Sequence, residues 1–239
     1  MRSKTSRTSF LKGGLIIPLV FFSSFCYSQV RLGVKAGVQS TFTIKNDQHT
    51  YGKAGFLIGG IATYALSDKI SLNGEVVFSQ HNMLLSRYNG TSTTTTAWDP
   101  FIVSFKTSNH KFYSFNIPVL AEYHLISSES FELKPYLGPY ATYNLKVIEH
   151  YIKTGQQNDM ATVTVSGSED VTSEFRNWVY GAALGAKAKI ALGENSLIFD
   201  IRYNYDITPY KKSFSYSGIP ETGQDLYMQR ISVTTGFLF

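Results

Sequence analysis

Over most of the chain, apolar residues recur at every second position and charged residues fall between them. From Ile70 the sequence places Ile70, Leu72, Gly74, Val76 and Phe78 on one side and Ser71, Asn73, Glu75, Val77 and Ser79 on the other. From Leu197 it sets Leu197, Phe199, Ile201, Tyr203, Tyr205 and Ile207 against Ile198, Asp200, Arg202, Asn204 and Asp206. The last segment sets Tyr227, Ile231, Val233, Phe237 and Phe239 against Met228, Arg230, Ser232, Thr234 and Gly236. Side chains of a strand point to alternate faces, so each segment reads as a strand with one greasy and one polar face. Eight such strands are expected, near 30–43, 53–66, 70–85, 108–125, 131–148, 174–190, 197–209 and 226–239. The second is the least regular, because Leu57 and Ile61 interrupt its polar face.

Connection lengths and charge placement choose the architecture. Short links at Ser67 to Lys69, Ile126 to Ser130 and Ala191 to Ser196 alternate with longer ones. Tight turns at one end and long loops at the other are the layout of a transmembrane barrel. Within the strands Arg31, Lys35, Glu75, Glu122, Glu132, Lys134, Lys146, Lys187, Lys189, Asp200, Arg202, Asp206 and Arg230 all lie opposite the apolar face. A soluble barrel also has one polar face. Here, however, the greasy face carries the large residues Phe, Tyr, Leu and Ile, whereas the polar face is rich in Gly, Ser, Asn and Thr. Large apolar groups suit lipid, and small polar ones suit a crowded lumen. The expected fold is an all-β, eight-stranded, antiparallel up-and-down transmembrane β-barrel with both termini in the periplasm.

The N-terminal segment reads as a targeting signal. Residues 1–28 carry Arg2, Lys4, Arg7 and Lys12 with no acid, then an apolar stretch from Gly13 to Phe22, then a small or polar run. That is the order of a secretory signal peptide. Cleavage after Ser28 leaves residues 29–239 as the barrel domain, without the single Cys, Cys26. The formal charge of +5 comes from 22 Lys+Arg against 17 Asp+Glu, and losing four cations leaves 18 against 17, or +1. A nucleic-acid partner is therefore not implied. No later segment approaches 18 consecutive apolar residues, so no transmembrane helix is expected.

Three segments, Ile117-Pro118, Lys134-Pro135-Tyr136-Leu137-Gly138-Pro139 and Ile201-Arg202-Tyr203-Asn204-Tyr205, resemble the PorT-type outer-membrane β-barrel family of Bacteroidota. The closing Gly236-Phe237-Leu238-Phe239 resembles the terminal aromatic insertion signal of such barrels, with Phe237 and Phe239 in its key positions. Asp206 departs from the family, which often has Gly there. The resemblance implies a barrel recognised by the barrel-assembly machinery during biogenesis, and it implies no reaction.

An eight-stranded barrel is just wide enough to be filled by its own side chains. Tyr136, Tyr140, Phe112, Lys134, Arg202 and Arg230 point inward and should close it. Lys35, Glu75 and Arg202 fall at one level, with Glu122, Lys134, Lys187 and Asp200 slightly lower, and are expected to form lumen ion pairs together with Arg230. Pro118, Pro135 and Pro139 predict bulges or local breaks on the fourth and fifth strands. No Ser sits in a nucleophile motif such as Gly-x-Ser-x-Gly, although His81 and His124 face inward near Glu75 and Glu122. Glu149 and His150, beside Asp159, Glu169, Asp170 and Glu174, are weighed as a divalent-cation site and read instead as solvated loop groups.

The sequence reading is thus a non-enzymatic, monomeric structural or surface-interaction protein of the outer membrane. It needs no catalytic, cofactor or metal residues. Its partners are membrane lipid and an extracellular or envelope protein, met through loops near 86–107, 149–173 and 210–225. Alternatives are an envelope-lipid-modifying enzyme, a narrow channel and a secretion-system accessory.

Overall fold

The computed structural model describes residues 30–42, 51–87, 92–94, 101–157, 162–211 and 227–239. The expected signal peptide lies outside the described residues. The strands are β1 (Val30–Phe42), β2 (Tyr51–Ala65), β3 (Ile70–Arg87), β4 (Ser92–Thr94), β5 (Phe101–Tyr123), β6 (Ile126–Ser127), β7 (Phe131–Gln157), β8 (Thr162–Asp170), β9 (Trp178–Leu192), β10 (Asn195–Asp206) and β11 (Gln229–Leu238). Eight of them form the wall in the order β1, β2, β3, β5, β7, β9, β10, β11, and β11 pairs back to β1, so the sheet is closed and antiparallel throughout. Closure removes the open edges from the wall, which is what lets a sheet stand in hydrocarbon.

The register fixes how the wall is wound. Leu32 lies opposite Ala62, Ala62 opposite Gly74, and Gly74 opposite Val119. Val119 is level with Pro139 in the register set by Ile117↔Ala141 and Ala121↔Leu137. Pro139 meets Ala182, Ala182 meets Tyr205, Tyr205 meets Gln229, and Gln229 meets Phe42. One circuit therefore climbs from residue 32 to residue 42 of β1, a stagger of ten residues. Such a stagger tilts the strands by roughly 40° and leaves an interior that side chains fill.

The alternation resolves into a lipid face and a lumen face. Leu137, Val38, Ile201 and Leu184 are 69%, 60%, 56% and 57% exposed, while their neighbours Tyr136, Gln39, Arg202 and Ala183 are buried. In water such a surface would be an aggregation liability, whereas in hydrocarbon it is the favoured one. Two aromatic bands border it. Near the short turns lie Tyr64, Tyr123, Phe131 and the chain-terminal Phe237 and Phe239, and Phe239 N–H donates to Leu32 O at 2.9 Å. Towards the other end run Phe56, Phe78 and Phe115, with centroids 6.2 and 5.8 Å apart, and the cluster Tyr143, Trp178 and Tyr180. At the short-turn end Gly193 holds φ at 67°, a left-handed value that lets Gly193–Glu194 close the β9–β10 hairpin in two residues.

Several expectations change. Leu57 and Ile61 face the lumen and are buried, so the irregularity of β2 is a lumen packing feature. Lys146 does not face inward. The β5–β7 register shifts between Tyr113 and Ser114, which gives β7 one extra residue and turns Lys146 out, its side chain 53% exposed. Arg31 is likewise exposed, at the short-turn rim. The prolines cause lapses in pairing without a change of register. Pairing of β5 with β3 lapses between Gly74↔Val119 and Val77↔Asn116, beside Pro118, and pairing with β7 lapses between Pro118↔Tyr140 and Ala121↔Leu137, beside Pro139. The β5–β7 ladder ends at Tyr136, the residue next to Pro135. Finally, the expected loops near 86–107 and 149–173 are largely strand. β3, β5 and β7 continue past the upper aromatic band, β8 pairs with β7 from Ile148↔Asp170 to Gln156↔Thr162, and β4 pairs with β5 from Ser92↔Val103 to Thr94↔Phe101, so a sheet of these strands stands above one side of the barrel. The segment 212–226 lies outside the described residues.

Candidate functional site

The lumen is filled by a column of interacting side chains. At the short-turn end Glu132 accepts from Lys134 at 2.6 Å and from Lys189. Above it Glu122 pairs with Lys187 and accepts a hydrogen bond from Ser71 Oγ at 3.1 Å. The third level is the densest. Lys35 lies 2.7 Å from Glu75 and 3.1 Å from Asp200. Arg202 grips Glu75 with both terminal nitrogens, at 2.9 and 2.7 Å, and reaches Asp200 at 3.1 Å. At the fourth level Arg230 reaches Asp206 at 3.4 Å, Asn116 Oδ1 at 2.9 Å and Thr142 Oγ1 at 3.2 Å. Six cations (Lys35, Lys134, Lys187, Lys189, Arg202, Arg230) thus face five carboxylates (Glu75, Glu122, Glu132, Asp200, Asp206). Charges so deeply buried persist because each has a partner and further hydrogen bonds.

Two of these levels share one construction. Tyr136 and Tyr140 lie opposite Gly185 and Gly181 of β9. Each ring crosses its glycine to reach β10, where Tyr136 Oη donates to Asp200 and Tyr140 Oη donates to Asp206. An arginine covers each ring, Arg202 at 5.4 Å from the Tyr136 centroid and Arg230 at 5.3 Å from that of Tyr140. The glycines are required, since a Cβ at either position would collide with the tyrosine oxygen.

Above the polar column the mouth is stopped by Met83, Phe112, Val147, Val171, Phe175, Val179, Tyr210 and Met228. Val171 and Phe175 flank the 3-10 turn Thr172–Glu174, which follows β8 and dips into the mouth. Its backbone is fastened on both sides. Val171 N–H donates to Val147 O at 3.0 Å, Arg176 N–H donates to Tyr210 O at 2.7 Å, and Phe175 bridges to Lys211. Thr172 Oγ1 accepts from Val147 N–H at 2.9 Å, just past the extra residue of β7, and donates to Asp170 at 2.6 Å. Hydrogen bonds from the Thr172 hydroxyl and amide hold the Asp170 carboxyl below the usual aspartate range. His81 lies in this stopper, stacked on Phe112 at 4.9 Å, and neither ring nitrogen has a hydrogen-bond partner among the described residues.

A closed, lipid-faced, eight-stranded wall with a filled polar lumen restricts the chain to few families. The model for the family described as outer membrane protein beta-barrel domain matches residues 22–212. The chain belongs to this family. It is an outer-membrane β-barrel protein. Similar solved structures include a major outer membrane protein from Thermus thermophilus, at 16% identity over 88% of this chain and 99% of that one, with a TM-score of 0.44. Ail of Yersinia pestis matches at 13% identity over 90% and 100%, with a TM-score of 0.38. The Escherichia coli outer membrane protease OmpT matches at 12% identity over 88% and 95%, with a TM-score of 0.38. No curated protein matches.

Within this family barrel, all eight residues singled out for the lumen in the sequence reading face inward and are buried, but their grouping differs. Asp200 joins Lys35, Glu75 and Arg202; Lys134 pairs with Glu132 and not with the Glu122–Lys187 level. Sequence reasoning missed the tyrosine crossings, whose signal was the matched four-residue spacing of Tyr136 and Tyr140 on one strand and Gly181 and Gly185 on the next. It also missed Ser71, whose hydroxyl lies 3.1 Å from His124 Nε2 as well as from Glu122. A hydrolytic triad needs the acid on the imidazole, and here the serine itself engages the acid. No group of three or more His, Cys, Asp or Glu residues suited to a metal occurs among the described residues.

Proposed function

We propose that this barrel is a non-enzymatic, monomeric interaction protein that works through the structure standing above its lumen. The observation that carries the reading is the continuation of β3, β5, β7 and β8 as a paired sheet beyond the upper aromatic band, above a lumen filled by described side chains. Ordered projections above a sealed barrel suit recognition better than transport. In this reading residues 1–28 are removed as a signal peptide, both termini face the periplasm, and the sheet faces outward to meet an extracellular or envelope protein. Phe237 on the last strand and Phe239 just after it serve as the insertion signal read by the assembly machinery. The motifs around Ile117, Lys134 and Ile201 further support a PorT-type affiliation within Bacteroidota.

The orientation is tested by cysteine labelling, since the only Cys, Cys26, falls in the signal. Ser168→Cys should react with a membrane-impermeant maleimide on intact cells, and Glu129→Cys should react only after lysis. The reverse pattern overturns the topology. A channel and a lipid-modifying enzyme are the competing readings. Single-channel conductance in planar bilayers and a mass change in native envelope lipids, respectively, would establish them.

A further inference from the structure

The outward side chains change character in a fixed order as β5 leaves the membrane. Phe115 and Tyr113 end the aromatic band, Lys111 follows on the same face, and Asn109 follows Lys111. The neighbours repeat this order. On β2 and β3 Phe56 and Phe78 give way to Lys53 and Asn82, and the register puts Lys53 opposite Asn82 and Asn82 opposite Lys111, one row across three strands. On β7 the extra residue turns Lys146 outward opposite Tyr113, beside Asp170 at 3.7 Å. Lys53 and Lys111 form no ion pair with any described residue. The short-turn rim carries Asp68, Lys69, Glu129 and Glu194 in its turns.

Above the lysine row lies an open groove of about 500 Å³ whose lining includes Lys53, Asn109, His150, Ile152, Ser166 and Ser168. The strand register explains its make-up, because Asn109 lies opposite His150, His150 opposite Ser168 and Ile152 opposite Ser166. The side-chain oxygen of Asn109 is buried there and accepts no hydrogen bond from the described residues. A buried acceptor left in this state is costly unless an outside donor fills it.

Hydrocarbon face, aromatic band, lysines without an ion pair among the described residues, and a groove bearing asparagine, histidine and serine side chains follow the order of the parts of one amphiphile: acyl chains, interface, phosphate and sugar. We propose that this face binds the phosphorylated saccharide headgroup of a membrane glycolipid in the leaflet at the long-hairpin end. Lys53 and Lys111 hold a phosphate, and Asn109, His150, Ser166 and Ser168 meet the sugar hydroxyls. The site is continuous with the lipid-facing wall, so its occupant is a lipid held by its chains and not a free anion. The inference rests on the membrane reading of the barrel and extends it to a chemical class of lipid.

Native mass spectrometry of the full chain in detergent tests it, with diphosphorylated lipid A, dephosphorylated lipid A and phosphatidylglycerol as probes. The diphosphorylated glycolipid should be retained best, and the Lys53→Gln/Lys111→Gln variant should bind it about thirtyfold more weakly. Asn109→Leu should weaken glycolipid retention and leave phosphatidylglycerol unchanged. Equal retention of the dephosphorylated form, or an equal loss in the short-turn control Lys69→Gln, overturns the proposal. So does displacement of the lipid by inorganic phosphate at concentrations comparable to the lipid's own. The wild-type lipid series needs no variant, so a misfolded mutant does not decide the matter. Membrane fractionation separates the two levels: a protein absent from the membrane fails the barrel reading, whereas a membrane-embedded one with no lipid preference fails this inference alone.

Discussion

At the scale of single residues, the lumen rewards pairing and penalises every incomplete change. Glu75 serves both Lys35 and Arg202, so Glu75→Gln leaves two buried cations short of a counter-charge. The expected loss is roughly 3–5 kcal/mol, read as a lower midpoint of heat modifiability on gels. Gly185→Ala should cost about 1–3 kcal/mol, because its Cβ would meet both the Tyr136 oxygen and the backbone oxygen of Ile201. His81→Phe should act in the opposite direction. It keeps the stack on Phe112, removes two ring nitrogens that have no partner among the described residues, and should raise stability by about 1 kcal/mol in the same assay. Which residues point inward was legible in the sequence, because alternation alone assigns faces. Which of them touch was not. Contacts such as Lys35 with Asp200 depend on a stagger that accumulates across eight strands, and no local pattern contains it.

At the scale of elements, the turn after β8 behaves as a strap whose anchor is a titrating group. The Asp170 carboxylate accepts from the Thr172 amide and hydroxyl, which keeps its folded-state pKa below its unfolded one. The associated stability is therefore fully present above the usual aspartate range and is lost as pH falls through the depressed value. The amide signals of Thr172 and Val147 in a pH titration by NMR should shift together over that acidic range, and in Thr172→Val they should not. Element boundaries were only partly legible. The barrel strands were placed to within a few residues at most ends, but the long hairpins read as loops because Thr, Ser, Lys and Gln above the membrane carry no lipid-facing alternation. The extra residue on β7 escaped for a related reason. One inserted position reverses the faces above it, and the polar segment there offers nothing to reveal the reversal.

At the scale of the molecule, a column of ion pairs below an apolar stopper fills the path a solute would take. The purified protein should show no single-channel conductance in planar bilayers. Replacing residues 149–170 by a short turn should leave the barrel heat-modifiable and membrane-embedded while removing its surface interactions. The eight-stranded class, the membrane face and the filled lumen all followed from the sequence, because each is a statement about periodicity and side-chain volume. The sheet above the barrel did not, and the proposed function is placed there.

The spread of the lumen contacts along the chain also bears on the order of assembly. Lys35 and Asp200 are 165 residues apart, and Arg202 and Glu75 are 127 apart. The first strand supplies Lys35, the third supplies Glu75 and the tenth supplies both remaining partners, so the cluster is complete only when the last strand zips to the first. Until that moment Lys35 and Arg202 lack their full set of counter-charges in a space that is losing its water. The lumen charges therefore make an unsealed sheet electrostatically unfavourable, and the cluster acts as a latch that favours the closed ring over any partly assembled form.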